Sequence, residues 1–386
     1  MLFDPHVHER LTDAGWDPGA VRAAIREIAE DAERSFDDGW PTHPQDAESP
    51  EEEERRFRTI YLGGSGVVQA LDSLQRRGLV ELRREYVSYL ERAYEPDFPD
   101  TDQERSLWMG ETGIRLALHR LSPSRENADR LAQLIAGNAR DERCEVMWGS
   151  PGTMLAAAAM HELTGEARWL DFWRESAAWL REQWDSETDL WTQHLYGNVR
   201  QLIGPAHGFA GCVLALSREA DEELHRRAAT ATARYVVEED GLANWPPLAS
   251  PEGLRSGRDR SIRLQWCHGA PGVVASLARL APRDDEHSRL LLAGGELTWL
   301  AGPLAKGANL CHGTAGNGYA FLALLERTGD ELWLDRARAF AMHALAQVAR
   351  ARAELGRGRY TLWSGDPGTA LYLADCLDGA GSIPLP

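Results

Sequence analysis

The sequence is almost without lysine: of its 42 basic residues, only Lys306 is a lysine. Acidic residues outnumber basic ones, and the formal net charge is -18 at pH 7. Proteins that bind the phosphate backbone of nucleic acids need clustered lysine and arginine, so the composition argues against a nucleic-acid partner. Lys306 stands five residues before the adjacent pair Cys311 and His312, a position that a general shortage of lysine does not explain.

Long hydrophobic runs are also absent. The longest apolar stretch, MLAAAAM at 154–160, is too short to cross a bilayer, which takes about 20 residues. The first residues, MLFDPHVHERLTDAG, show no basic segment followed by an apolar run, the pattern of a secretory signal. Five widely spaced cysteines favour free thiols in a reducing compartment over a disulfide framework. We therefore expect a cytoplasmic protein without a membrane span.

Glycine, by contrast, recurs in a regular pattern. A G-x-x-G pair followed by an alanine- and leucine-rich segment occurs seven times, with first glycines at Gly63, Gly110, Gly149, Gly208, Gly269, Gly313 and Gly365. The apolar segments predict buried inner helices, and the amphipathic segments between them, such as 169–184 and 331–353, predict half-exposed outer helices. The pattern predicts an all-α fold, an α/α toroid of seven helical hairpins.

We expect a single domain over residues 1–386, with the seven repeats in 59–386. Residues 1–58 are predicted to hold an N-terminal helix and an acidic, proline-containing loop at 41–57, and 246–261 is predicted as a second long connection. Glycine at each helix start would let the inner N-termini approach one another at one end of the barrel. Helix N-termini carry partial positive charge, so the residues beside the glycines are where we look for a site.

Three repeats carry a reactive side chain directly before the glycine pair: His207 in the fourth, Cys267 and His268 in the fifth, Cys311 and His312 in the sixth. Two cysteines and a histidine at one barrel end would make a zinc site with one open position, which is how catalytic zinc is held.

Two thiolate ligands cancel the charge of the ion and favour the binding of a further thiol over the activation of water. A third thiolate would give the cluster a net negative charge, which Lys306 could offset. The other three cysteines are predicted to be packing residues; they are Cys144, Cys212 and Cys376.

The motifs WCHGAPG, LCHGTAGNGYAFL, AHGFAG, NWPP and SGDPGTALYLAD, spread over residues 145–380, resemble those of the lanthionine synthetase C-like family. The resemblance implies a seven-fold α/α toroid with zinc held by Cys267, Cys311 and His312, and His207 as the residue that moves a proton. A lysine five residues before the cysteine is similar to the LanC-like members that bind glutathione, which implies that Lys306 contacts the thiol. His268 is a further candidate for binding that thiol.

Two features of the family have no clear counterpart here. The family cyclases pair their histidine with an aspartate that the sequence alone does not place. The N-terminal arginine that contacts glutathione in LanC-like members has only Arg10 as a candidate.

The resemblance implies the zinc-dependent addition of a thiol to dehydroalanine or dehydrobutyrine in a peptide, forming a thioether, with His207 and Lys306 as catalytic residues. The thiol would be a glutathione-like small molecule or a peptide cysteine, and the partner a dehydrated peptide or protein. Two alternatives are a zinc-containing scaffold that binds thiol or peptide without turnover, and an α/α-barrel glycosidase. The glycosidase would need paired carboxylates at the barrel mouth, where Asp366 is the only acid inside the C-terminal glycine pairs.

Overall fold

Each glycine pair begins a helix, as predicted. The computed structural model describes residues 1–47, 49–98, 103–249, 262–280 and 285–384, and in it the first glycine of every pair is the N-cap of a helix. The α-helices of the described residues are α1 (Pro18–Arg34), α2 (Pro50–Glu53), α3 (Gly64–Arg76), α4 (Val87–Leu90), α5 (Glu111–Leu121), α6 (Arg125–Asn138), α7 (Ser150–Thr164), α8 (Ala167–Glu182), α9 (Phe209–Leu216), α10 (Glu222–Tyr235), α11 (Ala270–Leu277), α12 (Asp285–Ala301), α13 (Thr314–Thr328), α14 (Leu332–Leu355) and α15 (Asp366–Asp378).

The odd-numbered helices from α3 to α15 form a closed inner ring. Each packs against the next inner helix, and α15 packs against α3, which closes the circle. Helices α6, α8, α10, α12 and α14 each pack on the inner helix that precedes them in the chain. The predicted α/α toroid is therefore confirmed. None of the described helices is both long enough and apolar enough to span a bilayer.

The outer layer of the toroid departs from seven uniform helical hairpins where the last inner helix, α15, meets the first, α3. Helix α3 is followed only by the four-residue α4, whereas the N-terminal helix α1 packs against α15 and α14. Val21, Ile25 and Ile28 of α1 are buried at a spacing that puts them on one helix face. The N-terminal helix thus supplies the outer partner of the last inner helix, although the sequence analysis placed it outside the repeats.

The acidic segment 41–57 contains the short helix α2 rather than loop alone. The Ser49 hydroxyl accepts a hydrogen bond from the Glu52 N–H, and Pro50 stands at the first helical position. An N-cap serine, a first-turn proline and first-turn carboxylates all favour a helix start. Of the second predicted connection, 246–261, residues 250–261 lie outside the described part of the chain.

Two short hairpins also interrupt the helical pattern. Strand β1 (Gln193–Leu195) pairs antiparallel with β2 (Asn198–Arg200), and β3 (Val237–Glu239) pairs with β4 (Leu242–Asn244). Both turn residues of the first hairpin have positive φ, +53° at Tyr196 and +71° at Gly197, which suits a tight two-residue hairpin turn.

A local steric constraint explains why the second residue of each pair is glycine. A Cβ added there would lie 1.8–2.2 Å from the carbonyl oxygen six residues earlier in the same loop, in all seven repeats. The loop therefore folds back beneath its own helix, and only a residue without a side chain leaves room for it. Glycine was predicted here for close approach between neighbouring helices and for the turn into each helix. Both causes are present, because the same Cβ would also lie 2.4–3.4 Å from a side chain of the neighbouring repeat in all seven cases.

This crowding predicts that Gly113→Ala destabilises the protein. The new Cβ would lie 2.2 Å from the Leu107 carbonyl oxygen, and overpacking of this kind costs about 1–3 kcal/mol or more. Denaturant unfolding should show the loss, whereas Gly15→Ala, with nothing within 4 Å of its Cβ, should be neutral. Equal stability of the two variants would contradict the steric explanation.

Candidate active site

Five of the seven loops that enter the inner helices are joined in a row by backbone hydrogen bonds. The N–H of Tyr61 donates to the Trp108 carbonyl (3.0 Å), that of Trp363 to Tyr61 (3.5 Å), that of Cys311 to Trp363 (2.9 Å), and that of Cys267 to Cys311 (3.0 Å). All five residues stand two positions before the first glycine of their repeat. Equivalent residues of neighbouring repeats are thereby fixed side by side.

Cys267 and Cys311 are neighbours in this chain of loops, and their thiols are hydrogen-bonded to each other. Both residues are buried, with 7% and 6% of their surface exposed. The hydrogen bond from Cys311 lowers the pKa of Cys267 and outweighs the opposing effect of burial. The same hydrogen bond, together with burial, raises the pKa of Cys311. Cys267 is therefore the more acidic thiol of the pair and Cys311 the less acidic.

Each sulfur also accepts a hydrogen bond from a neutral side chain. The Tyr61 hydroxyl donates to Cys311 Sγ (3.0 Å), and Gln265 Nε2 donates to Cys267 Sγ (2.9 Å). Lys306 Nζ donates to Gln265 Oε1 (3.0 Å). The single lysine thus reaches the cysteine pair through Gln265.

His312, the third predicted zinc ligand, follows Cys311 but is oriented by a different contact. Its backbone N–H donates to Asn309 Oδ1 (3.0 Å). Burial lowers the pKa of His312 to about 4, and the positive charges of Arg359 and Lys306 add to the effect. The imidazole is therefore neutral at pH 7, the form that binds metal ions.

Two sulfurs and a neutral imidazole are donor types that suit zinc. Within the described chain, however, no three or more His, Cys, Asp or Glu side chains are arranged to hold a metal ion. The structure brings two of the three predicted ligands together, Cys267 and Cys311, and does not group His312 with them. The zinc site stays a prediction.

His207 has an acidic partner that sequence reasoning did not find. Its Nδ1 donates to Glu145 Oε2 at 2.8 Å. The buried Glu145 carboxylate also accepts the N–H groups of Met147, Trp148 and Gly149 at the start of α7. Burial alone would lower the pKa of His207, but the hydrogen bond and negative charge of Glu145 outweigh it and raise that pKa above 6.5. His207 can therefore carry a proton near neutral pH.

One sequence signal would have pointed to both Glu145 and Gln265. They occupy the same repeat position, four residues before the first glycine, and six of the seven residues in this position are polar: Thr59, Ser106, Glu145, Gln265, Asn309 and Thr361. Several of these side chains accept hydrogen bonds from N–H groups of their own loop. Glu145 is the only acid in the set, which marks it out.

Side-chain contacts stabilise a strained backbone conformation directly before Glu145. The preceding residue, Cys144, has φ +48°, an uncommon conformation for a residue other than glycine. Its carbonyl oxygen accepts hydrogen bonds from Gln193 Nε2 (3.2 Å) and Cys212 Sγ (3.1 Å). Gln193 Oε1 in turn accepts the Leu202 N–H in the loop that leads to His207. Cys144 and Cys212, predicted to be packing residues, thus also shape this loop.

Tyr196 forms an exposed aromatic wall beside His207. Its ring lies 6.1 Å from the His207 ring, edge to face, and its hydroxyl accepts a hydrogen bond from Trp148 Nε1 at 3.1 Å. Tyr196 is 71% exposed although these contacts and the tight turn fix its position. An apolar group brought to His207 would meet this surface.

A pocket of about 240 Å³ lies beside Lys306 and is lined mainly by polar and charged residues, with Lys306 and four arginines against the two acids Glu354 and Asp366. Three of its lining residues have no acidic partner in the described chain: Lys306, Arg357 and Asn309. Arg357 Nε and Asn309 Nδ2 are buried donors without a hydrogen-bond partner. Three further arginines of the lining pair with acids; they are Arg350, Arg352 and Arg359. The pocket can receive a small anion such as a carboxylate.

Two other predicted residues are placed elsewhere. His268 does not line this pocket; its Nδ1 is buried without a partner, and burial lowers its pKa to about 3, with the charges of His207 and Arg263 adding to the effect. Arg10 is exposed and also lies outside the pocket lining.

The fold and the site together define an α/α toroid with a thiol pair and a histidine–carboxylate pair at the N-termini of its inner helices. Residues 58–382 match the family model described as lanthionine synthetase C-like protein. The chain belongs to this family, as the sequence motifs predicted.

Two curated relatives and one solved structure illustrate the likeness. LanC-like protein GCL1 of Arabidopsis thaliana is 33% identical over 143 residues, 36% of this chain and 32% of that protein. Glutathione S-transferase LANCL1 of Danio rerio is 32% identical over 186 residues, 47% of this chain and 44% of that protein. The matches span less than half the length of each relative. The structure of nisin cyclase covers 94% of this chain with a TM-score of 0.58 and 16% identity, all of that chain being matched, which shows a shared fold.

The Glu145 contact predicts that Glu145→Gln lowers the pKa of His207. Without the carboxylate charge, burial becomes the dominant influence, and the pKa should fall below 6.5. An NMR titration of the imidazole measures it directly. Glu142→Gln, which removes an exposed carboxylate three residues earlier, is the matched control and should leave the His207 titration unchanged. An unaltered pKa in Glu145→Gln would contradict the pairing.

Proposed function

We propose that the protein adds a small anionic thiol, glutathione or a thiol like it, to dehydroalanine or dehydrobutyrine residues of a peptide or protein, forming a thioether. One observation carries the proposal: the buried Cys267–Cys311 pair is linked through Gln265 to a cationic pocket, and the charge of Cys267 also acts on His207. Family membership supports it, as do the names of one curated relative, a glutathione S-transferase, and of one structural neighbour, nisin cyclase.

Zinc is the metal that we assign to this site, with Cys267, Cys311 and His312 as the residues that would hold it. When bound with a vacant position, the ion would keep a thiol deprotonated at neutral pH. The support is the donor set: two sulfurs in contact, each accepting an outside hydrogen bond, and an imidazole that is neutral at pH 7. Such hydrogen bonds to ligand atoms are typical of metal centres.

His207 is assigned to proton transfer. Glu145 occupies Nδ1, which leaves Nε2 to exchange protons with the reactants. Neutral His207 takes the proton of the incoming thiol, and the Glu145 charge stabilises the imidazolium. The sulfur then bonds to the β-carbon, the electrons of the double bond move to the α-carbon and its carbonyl, and Nε2 returns the proton to the α-carbon. One proton enters and leaves the histidine in each cycle, so the step is balanced.

The pocket beside Lys306 is assigned to the thiol substrate. Glutathione carries two carboxylates, and Lys306, Arg357 and Asn309 provide donors that no acidic side chain of the described chain occupies. Charge-assisted hydrogen bonds of this kind favour an anionic ligand over a neutral one. This assignment favours a small anionic thiol over a cysteine within the peptide.

Incubation of the purified protein with a dehydroalanine peptide and glutathione tests the proposal. Mass spectrometry should show an adduct of one glutathione per dehydroalanine, forming faster than in the absence of protein. Cysteamine, a thiol without carboxylates, should react more slowly than glutathione, and added salt should narrow the difference because it screens the pocket charges.

His207→Ala should slow adduct formation about 100-fold or more, the usual contribution of a general acid–base group. His194→Ala, which removes an exposed histidine of the neighbouring hairpin, is the control and should keep wild-type activity. If glutathione binds but no adduct forms above background, the protein is a thiol-binding scaffold rather than an enzyme. A ring within a cysteine-containing peptide, formed without glutathione uptake, would point instead to cyclisation.

A further inference from the structure

Gln265 lies between the single lysine and a cysteine sulfur. Its Oε1 accepts a hydrogen bond from Lys306 Nζ at 3.0 Å, and its Nε2 donates to Cys267 Sγ at 2.9 Å. The residue is 6% exposed, so bulk water competes weakly for either contact. One buried amide thus bridges an ammonium group and a thiol.

The lysine decides which way this amide faces. An ammonium group has three donors and no acceptor, so the amide oxygen must turn to Lys306. The NH₂ end of the same planar group then has to face the sulfur. A sulfur that carries negative charge is stabilised by such a donor, whereas an amide oxygen in that place would repel it.

The backbone holds Gln265 in position for this role. Gln265 and His268 exchange two hydrogen bonds, N–H to carbonyl oxygen in each direction, both 3.0 Å long. The turn that they enclose contains Trp266 and Cys267. These bonds fix the backbone of Gln265 two residues before Cys267, within reach of its sulfur.

We propose that Gln265 is a positioning residue for Cys267, and that Lys306 acts on the cysteine pair by orienting the Gln265 amide. The inference rests on the proposed function, since it assigns these residues to the thiol site. It also gives Lys306 a second role, because the same residue lines the pocket assigned to the anionic thiol. Binding of an anion in the pocket and the state of the Cys267 sulfur are then coupled through a single side chain.

Zinc affinity, measured by competition with a chromophoric chelator, tests the inference in Gln265→Leu, Lys306→Met and the double variant. Loss of a hydrogen bond to a ligand atom weakens metal binding by about 10–100-fold, so Gln265→Leu should raise the zinc Kd at least about tenfold. Lys306→Met should weaken binding in the wild-type background and have no further effect in Gln265→Leu. In the cobalt-substituted protein, the sulfur-to-metal charge-transfer band should shift in Gln265→Leu.

Gln69→Leu is the control for the loss of a buried glutamine, because Gln69 is similarly buried, at 7%, in helix α3. It should keep wild-type affinity and spectrum. Unchanged affinity and spectrum in Gln265→Leu, or a full effect of Lys306→Met in the double variant, would overturn the inference and leave the proposed function standing. A wild-type chain that binds no zinc would overturn both.

Discussion

Backbone hydrogen bonds between neighbouring loops place Cys267 beside Cys311, and most of the candidate site follows from that contact. Each loop folds back under its own inner helix, which the second glycine of the pair allows because it has no Cβ to meet the carbonyl six residues earlier. Stacked side by side, the loops then pair N–H with carbonyl from repeat to repeat. The repeated glycines are thus the reason that two cysteines 44 residues apart become neighbours.

A buried sulfur that loses its proton carries a negative charge that must be stabilised. Neutral donors next to the sulfurs and charged groups farther away provide this stabilisation. Neutral donors, Tyr61 and Gln265, touch the sulfurs. The charged group, Lys306, stands one side chain further out, where it also meets the pocket. On the other side, Glu145 supports a positive charge on His207. This separation favours negative charge at the sulfurs and a proton at the histidine, the arrangement that the proposed conjugate addition of a thiol would use.

The elements that recur in every repeat could be predicted from the sequence, whereas the contacts between side chains of different repeats could not. Glycine spacing was enough for the inner helices, the toroid and the placement of both cysteines in equivalent loops. Glu145 and His207 are 62 residues apart in the chain, and nothing in local periodicity indicates which polar loop residue faces which neighbour. The role of α1 in completing the outer layer was missed for the same reason. For His312 the limit is different: its adjacency to Cys311 in sequence does not by itself place the imidazole in one group with the two sulfurs.

We propose that Cys267 and Cys311, with His312, bind one zinc ion. Elemental analysis of the protein, purified without chelators, tests it most directly. The account predicts one zinc per chain in the wild type, its loss in Cys311→Ala, and its retention in Cys376→Ala, which removes a buried cysteine of α15. A wild-type protein without zinc, or one in which Cys311→Ala keeps its metal, would contradict the account.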